Sequence, residues 1–246
     1  MALKRAVIVA SFGDRDRQIH ETITNLMEYC DLPIHLVTDR TRRAPRDRVV
    51  QRVLQLGELR WREHRRWGVR NANIWLARAA LEATDYSSVM CLNDDMRIVH
   101  RGFLDGFALA EKFGVCVPSN PRIYVRYNAM GADATDADLE RAMRTAPYAP
   151  ACNVSPLFAS QLPAARTLLQ AYLDELETCM RGTLAIWFAS WRTGITPVYL
   201  PEFWCVCEGN ARHIRDYRKR LRGKTHDIPP MMLHVGQKGV REAFDA

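Results

Sequence analysis

The sequence lacks several patterns that assign a protein to a common class. No apolar stretch is long enough to span a bilayer, and the N-terminal residues do not resemble a secretory signal. Neither a Gly-x-Gly-x-x-Gly motif after the first apolar segment nor a Gly-x-x-x-x-Gly-Lys-Ser/Thr loop occurs, which argues against dinucleotide-binding and P-loop folds. Internal repeats and low-complexity segments are absent as well. We therefore expect a cytoplasmic protein, or one of the host cytoplasm if a phage encodes it, without a transmembrane segment.

The cysteines show no metal-binding arrangement. Their number, seven, is odd, and the pair Cys205 and Cys207 is separated by one residue, which is shorter than the usual zinc spacing. Most of the others lie in apolar segments. The pattern predicts reduced thiols in the core of a protein from a reducing compartment.

Lysine is scarce, although the chain is basic. Only five of the 35 basic residues are lysines, so arginine carries most of the net charge of +7. This bias has two explanations that the sequence leaves open: the nucleotide composition of the source genome, or phosphate binding, which the guanidinium group suits.

What the sequence does contain is an apolar content of 48% in 246 residues, enough for a substantial core. A buried strand is predicted over Arg5–Phe12, a helix over Gln18–Tyr29 and a second strand over Ile34–Thr38. This order implies a parallel strand pair with a right-handed crossover. The remaining predicted elements are helices at Trp67–Ala83, Phe103–Phe113, Pro163–Met180 and Leu184–Arg192, the last ended by Gly194, and strands at Gly114–Pro118 and Ile195–Leu200.

The most informative motif is Asn93-Asp94-Asp95, which directly follows the apolar run Val89–Leu92. Open α/β sheets bind their ligands beyond the carboxyl ends of the strands. Adjacent carboxylates at such a position repel each other unless a cation neutralises them. The alternative is an ordinary acidic turn, since Asn and Asp favour turns.

A basic residue and an asparagine, Arg70-Asn71, lie about twenty residues before this motif. In this arrangement the chain resembles the glycosyltransferases of the GT-A fold, whose Asp-x-Asp motif here has Asn93 in its first position. The resemblance implies a Rossmann-related α/β fold, a mixed sheet flanked by helices, in one domain over 1–246. Residues 1–118 would form the nucleotide-sugar-binding half, and residues 119–246 the acceptor-binding half with a C-terminal metal and diphosphate segment.

A second similarity lies near the C-terminus. The segment Leu233-His-Val-Gly-Gln-Lys-Gly239 is similar to the His-x-Gly-x-x-Lys-Pro segment of retaining GT-A enzymes, with a spacing one residue shorter and without the following Pro-Trp. In those enzymes the histidine binds the metal and the lysine contacts the diphosphate. The resemblance therefore implies these roles for His234 and Lys238; the alternative for His234 is a structural histidine.

The resemblance also implies a nucleoside-diphosphate sugar as donor, with a UDP-sugar favoured, and Mn²⁺ or Mg²⁺ as cofactor. The metal ligands would be Asp95 and His234, and Asp94 would face the ribose or the metal, so Asp94 and Asp95 are the predicted catalytic residues. The predicted donor-binding residues are Ser11, Phe12, Thr38, Asp39, Arg70, Asn71 and Lys238. For Thr38-Asp39 the alternative is an ordinary turn or helix cap.

The segment that carries the catalytic base of inverting GT-A members has no carboxylate here; it is Met180-Arg-Gly-Thr-Leu184. Glu175 and Glu177 lie just upstream, and we expect both on exposed faces of an amphipathic helix. The missing base and the C-terminal histidine favour a retaining reaction over an inverting one.

Two basic segments bear on the acceptor: Arg40–Arg70, with eleven arginines, and Arg212–Lys224. They suggest a polyanionic acceptor such as DNA or RNA with a modified base, as in phage-type glycosyltransferases, which must extract the base from its stack. A lipid or saccharide acceptor at an anionic membrane surface explains the same charge. So does a non-catalytic, basic α/β protein that binds nucleic acid.

Overall fold

The computed structural model of the chain describes residues 3–11, 16–38, 72–124, 137, 140–141, 144, 150–152, 154–179, 182–201, 204–208 and 231–235. The strands are β1 (Arg5–Ser11), β2 (Ile34–Thr38), β3 (Ser88–Asn93), β4 (Met96–Ile98), β5 (Val115–Tyr124), β6 (Pro150–Cys152), β7 (Leu157–Ser160), β8 (Val198–Leu200), β9 (Val206–Glu208) and β10 (Met232–Val235). The helices are α1 (Asp16–Tyr29), α2 (Ala72–Glu82), α3 (Asp105–Phe113), α4 (Pro163–Leu176) and α5 (Gly182–Thr193), with a 3-10 turn at Arg101–Leu104.

The described strands form two sheets. The large sheet has the order β2-β1-β3-β7-β5-β6, and β8 pairs with β5. Strands β1, β2 and β3 run parallel, whereas β7 is antiparallel to both β3 and β5. The small sheet has the order β4-β10-β9. The prediction of a mixed sheet is confirmed, and so is the parallel pair at the N-terminus.

Helices cover both faces of the large sheet, because its strands are apolar on both sides. In β1, Ala6, Ile8 and Ala10 belong to the core cluster that contains α2, α4 and α5. Val7 and Val9 point to the opposite face and pack with α1, α3 and the small sheet. This alternation follows from the two-residue period of a strand. A continuous apolar run is the pattern expected for such a doubly covered strand.

The structure corrects the prediction in the middle of the chain. Strand β7, which was not predicted, lies between β3 and β5 and runs antiparallel to both, as β6 does to β5. It has four residues, too few to show a period that distinguishes a strand from a helix. Strand β5 continues to Tyr124, beyond its predicted end at Pro118. The predicted helix end at Gly194 is confirmed, and this glycine has a φ of +69°.

Six cysteines have side chains that the structure describes, and all six are free thiols. Five of them are buried, as predicted for core thiols, and only Cys30 is partly exposed. Burial raises the pKa of Cys91 to about 12, so this thiol is protonated at neutral pH and unreactive.

A partly buried ion pair joins the start of the large sheet to α3. Arg5 donates two hydrogen bonds to the carboxylate of Glu111, at 2.9 and 2.8 Å, and the hydroxyl of Ser88 donates a third at 2.8 Å. The hydrogen bond from Arg5, and then that from Ser88, hold the pKa of Glu111 below its ordinary value of 4.5. The ionised form of Glu111 is therefore favoured in the folded protein.

We expect this pair to make the stability depend on pH. A carboxyl group whose pKa is lower in the folded state stabilises the fold above its unfolded-state pKa. The contribution, on the order of 1 kcal/mol, is lost as the pH falls below about 4.5 and through the lowered folded-state pKa. Denaturant unfolding of the wild type and of Glu111→Gln from pH 7 to pH 3 should give curves that converge in acid. A constant difference would contradict the assignment.

Candidate donor-binding site at the carboxyl edge of the sheet

Three parallel strands end together at one edge of the large sheet. In the register, Ser11 of β1 lies beside Thr38 of β2, and Ala10 lies beside Asn93 of β3. The chain thus brings the ends of β1 and β2 next to the start of the acidic motif. This is the edge at which an open α/β sheet binds its ligands.

Burial alternates through the acidic motif. Asn93 and Asp95 are partly exposed, whereas Asp94 is only 2% exposed. The carboxylate of Asp94 accepts a hydrogen bond of 2.7 Å from the hydroxyl of Ser11, which is itself fully buried. Asn93 and Asp95 are therefore the residues of the motif with surface available to a ligand. Ser11 and Asp94 are bonded to each other in the interior. They would therefore affect the binding of a donor through the position of the turn.

Asn93 has an unusual environment. Its side-chain Oδ1 atom is buried and accepts no hydrogen bond from the described residues. Its backbone N–H donates to the hydroxyl of Ser155, 2.9 Å away. A buried carbonyl oxygen without a donor costs free energy, so a donor supplied by a ligand would be stabilising here. The Oδ1 atom of Asp95 is buried as well, although the residue as a whole is partly exposed.

The small sheet brings the C-terminal segment to the same place. Strand β4 begins one residue after Asp95, and its Met96 is paired with His234 of β10. The backbones of Asp95 and His234 are consequently neighbours, although the residues are separated by more than 130 positions in the chain. Two of the residues expected to bind the metal are thus brought close by the backbone register alone.

Asp95 and His234 are of residue types that bind hard divalent cations, although two ligands alone do not complete a metal site. One carboxylate and one imidazole are acceptable ligands for Mn²⁺, and carboxylate oxygens suit Mg²⁺. Within the part of the chain that the structure describes, no three side chains of His, Cys, Asp or Glu come together as a metal site would require. Ions of this kind usually keep several waters and bind substrate phosphates in addition to one or two carboxylates. A metal at this place would therefore need ligands in addition to Asp95 and His234.

Several predicted site residues lie outside the described residues. They are Phe12, Asp39, Arg70, Asn71 and Lys238, and the basic segments 40–70 and 212–224 lie outside as well. Their assignment to the donor and to the acceptor stays a prediction from the sequence.

Sequence reasoning missed three polar residues that bind the backbone of the motif or of the strand that follows it. Ser155 binds the N–H of Asn93; Thr22 and Asn25 of α1 bind the backbone on the other side, at Asp94 and at Ile98. The sequence does contain a pattern that indicates Thr22 and Asn25. Thr22 and Asn25 fall on the same helical face as the apolar Ile19, Ile23 and Leu26, where a polar side chain must find a partner.

The expectation for Glu175 was wrong. This residue is 5% exposed rather than on the surface, and Arg141 donates two hydrogen bonds to its carboxylate, at 2.7 and 3.2 Å. A nitrogen of Arg192 lies 3.5 Å from the same carboxylate. The helical period of α4 places Glu175 towards the core, and two arginines compensate its charge there. Glu177 is exposed, as predicted.

The chain is similar to known proteins in its fold, although not in its sequence. No protein-family model matches the chain, and no curated protein matches it in sequence. Solved structures do match. The bifunctional glycosyltransferase WbbM aligns over 97% of this chain with a TM-score of 0.61 at 12% identity. Mouse xyloside xylosyltransferase 1 aligns over 95% of this chain and 98% of its own, with a TM-score of 0.54 at 10% identity.

The galactosyltransferase LgtC, solved with donor and acceptor sugar analogues, covers 95% of this chain and 87% of its own, with a TM-score of 0.56 at 9% identity. The chain spans about half of WbbM, at 47% of its length. No described helix combines the length and the apolar character that crossing a membrane requires. Identities this low inform on architecture only. The mixed sheet flanked by helices is the GT-A glycosyltransferase fold.

Proposed function

We propose that the protein is a metal-dependent glycosyltransferase that moves a sugar from a nucleoside-diphosphate sugar to an acceptor hydroxyl. The observation that carries the proposal is the position of Asn93 and Asp95. They lie at the carboxyl edge of three parallel strands, beside the strand that contains His234, in a GT-A fold. An acidic turn with a purely structural role, the alternative, predicts no metal-dependent nucleotide binding.

The chemistry requires groups that stabilise a leaving diphosphate. A bound Mn²⁺ or Mg²⁺ would neutralise the charge that develops on the diphosphate. We assign Asp95 and His234 as its protein ligands. Lys238 and Arg70 would neutralise the remaining charge, with Asn71 beside them, because cationic side chains favour a developing anion. Thr38, Phe12 and Asp39 would contact the base and the ribose, whereas Ser11 would act by holding the carboxylate of Asp94.

We further propose that the reaction retains the anomeric configuration of the transferred sugar. An inverting enzyme needs a base to deprotonate the acceptor, and Met180–Leu184, which overlaps the start of α5, has no carboxylate. Of the two described carboxylates just upstream, Glu175 is buried and paired with two arginines, whereas Glu177 is exposed at the end of α4. A retaining reaction does not strictly require an enzymic base, so the chain is better suited to it.

The test is the thermal stability of the protein with Mn²⁺ and a panel of nucleoside diphosphates, UDP first. A ligand that binds only the folded state at about a hundred times its Kd adds about 2.7 kcal/mol. For a chain of this size we expect a rise in Tm of roughly 5–10 °C. The rise should need both the metal and one particular nucleotide, and EDTA should remove it. No rise with any nucleotide would overturn the proposal in favour of a non-catalytic protein.

For the acceptor we propose a polyanion, DNA or RNA with a modified base, on the strength of the two basic segments and the net charge of +7. Binding to a nucleic acid releases counterions, so it should weaken about a thousandfold or more between about 50 and about 200 mM salt. Fluorescence anisotropy with labelled duplex and single-stranded DNA measures this directly. Absence of binding at low salt, together with binding to vesicles that contain anionic lipid, would instead favour an acceptor at a membrane surface.

A further inference from the structure

Helix α1 contacts the acidic turn and the following strand through three polar residues: Glu21, Thr22 and Asn25. We call this group the α1 clamp. Its members lie within about one turn of α1, on the side that packs against β4, so that one rigid helix holds the whole segment from Asp94 to Ile98. If α1 only covered the sheet, apolar side chains on this face of the helix would be enough to pack against it.

Thr22 holds the turn itself. Its hydroxyl, buried with the residue at 2% exposure, donates a hydrogen bond of 2.6 Å to the backbone carbonyl of Asp94 and lies 3.4 Å from that of Met96. These carbonyls flank Asp95 on both sides. A hydroxyl between them restricts the peptide groups that determine where the carboxylate of Asp95 points.

Asn25 holds the strand that follows. Its side-chain amide donates to the carbonyl of Ile98 at 3.1 Å and accepts from the N–H of the same residue at 2.7 Å. The asparagine thereby pairs with one edge of β4 as a neighbouring strand would, while the other edge pairs with β10. The side chain of Glu21 adds an ion pair of 2.7 Å with Arg97.

We propose that Thr22 and Asn25 are positioning residues of the donor site, which fix Asp95 relative to the strand that carries His234. The inference rests on the proposed function and deepens it. Thr22 sets the turn and Asn25 sets β4, whose partner in the register is β10. Groups that orient metal ligands through hydrogen bonds commonly contribute ten- to a hundredfold in metal affinity.

The test compares Thr22→Val, which removes the hydroxyl at nearly constant shape, with Thr22→Ser, which keeps it. The matched control is Thr24→Val on the same helix, because the buried hydroxyl of Thr24 has no hydrogen-bond partner among the described residues. The measurement is the Kd of Mn²⁺ with the nucleoside diphosphate that stabilises the wild type, well below the Tm of every variant. We expect Thr22→Val to weaken Mn²⁺ binding about tenfold or more, and Thr22→Ser to restore it.

The outcomes separate this inference from the proposed function. If the wild type binds no Mn²⁺ with any nucleotide, the proposed function fails and the inference falls with it. If the wild type binds and Thr22→Val has a lower Tm but an unchanged Kd, the clamp is only structural and the inference alone is overturned. Asn25→Asp, which loses the amide donor but keeps the acceptor, is a second variant in case Thr22→Val does not fold.

Discussion

If the proposed function holds, the substitution Asp95→Asn should lower metal-dependent nucleotide binding and sugar transfer by roughly a thousandfold, because a Lewis-acid metal contributes several kcal/mol to a reaction of this kind. Asparagine keeps the shape of the side chain and removes the charge that attracts the cation. Asp95 is partly exposed at a turn, so the free energy of unfolding should change little. Isothermal titration with Mn²⁺ and the nucleotide measures the loss, and thermal unfolding verifies the fold.

Asp85→Asn is the matched control. Asp85 is an exposed aspartate that precedes β3, so it lies at the opposite end of the strand from the acidic motif. Both variants lose one negative charge near an end of the same strand, and only Asp95→Asn should weaken binding. Equal losses in the two variants would point to a general effect of charge. Unchanged binding in Asp95→Asn would place the metal elsewhere.

The substitution Phe158→Ala should have the largest effect on stability. Phe158 lies in β7 and is fully buried, with its ring edge-to-face against Phe107 at 5.5 Å and Trp204 at 6.0 Å between centroids. The backbone of Gly106 packs on the same ring so closely that an added Cβ would lie 2.5 Å from it. Replacing a buried Phe by Ala costs about 3–5 kcal/mol, from lost burial and the cavity left behind. Denaturant unfolding at constant m-value measures this loss.

Phe113→Ala removes the same side chain from the surface. Phe113, the last residue of α3, is 50% exposed and lies beside the ammonium group of Lys112. We expect its substitution to change the free energy of unfolding by less than about 1 kcal/mol. Similar losses in the two variants would contradict the assignment of Phe158 to the core. A fall in the m-value for Phe158→Ala would indicate that β7 no longer pairs in the native state.

Much of the fold follows from local patterns. The apolar runs of β1 and β3 are continuous, since both sides of these strands are covered, and the run of β3 ends at polar residues that favour turns. The position of Asn93-Asp94-Asp95 at the end of β3 is predictable for the same reason. Gly194 ends α5 because only glycine adopts a positive φ without strain.

Other features depend on partners that are distant in sequence. Strand β7 is an interior strand because β3 and β5 flank it, and its four residues alone do not indicate this. Asp94 and Asp95 are chemically identical in the sequence, yet Ser11 and Thr22 hold the first in the interior while the second stays partly exposed. The burial of Glu175 likewise depends on Arg141, which lies 34 positions away.

The sequence by itself therefore determined that this is an α/β protein with an acidic strand end, and that its C-terminal part contains basic residues and a histidine. Apolar periodicity and the type of residue at strand ends are local properties, so they can be identified from the sequence alone. The tertiary structure decided which carboxylate of the motif is accessible, which helix holds it, and that β10 lies against β4 next to it. Chemically similar residues are not distinguished by the sequence pattern. Their different roles depend on contacts with distant parts of the chain.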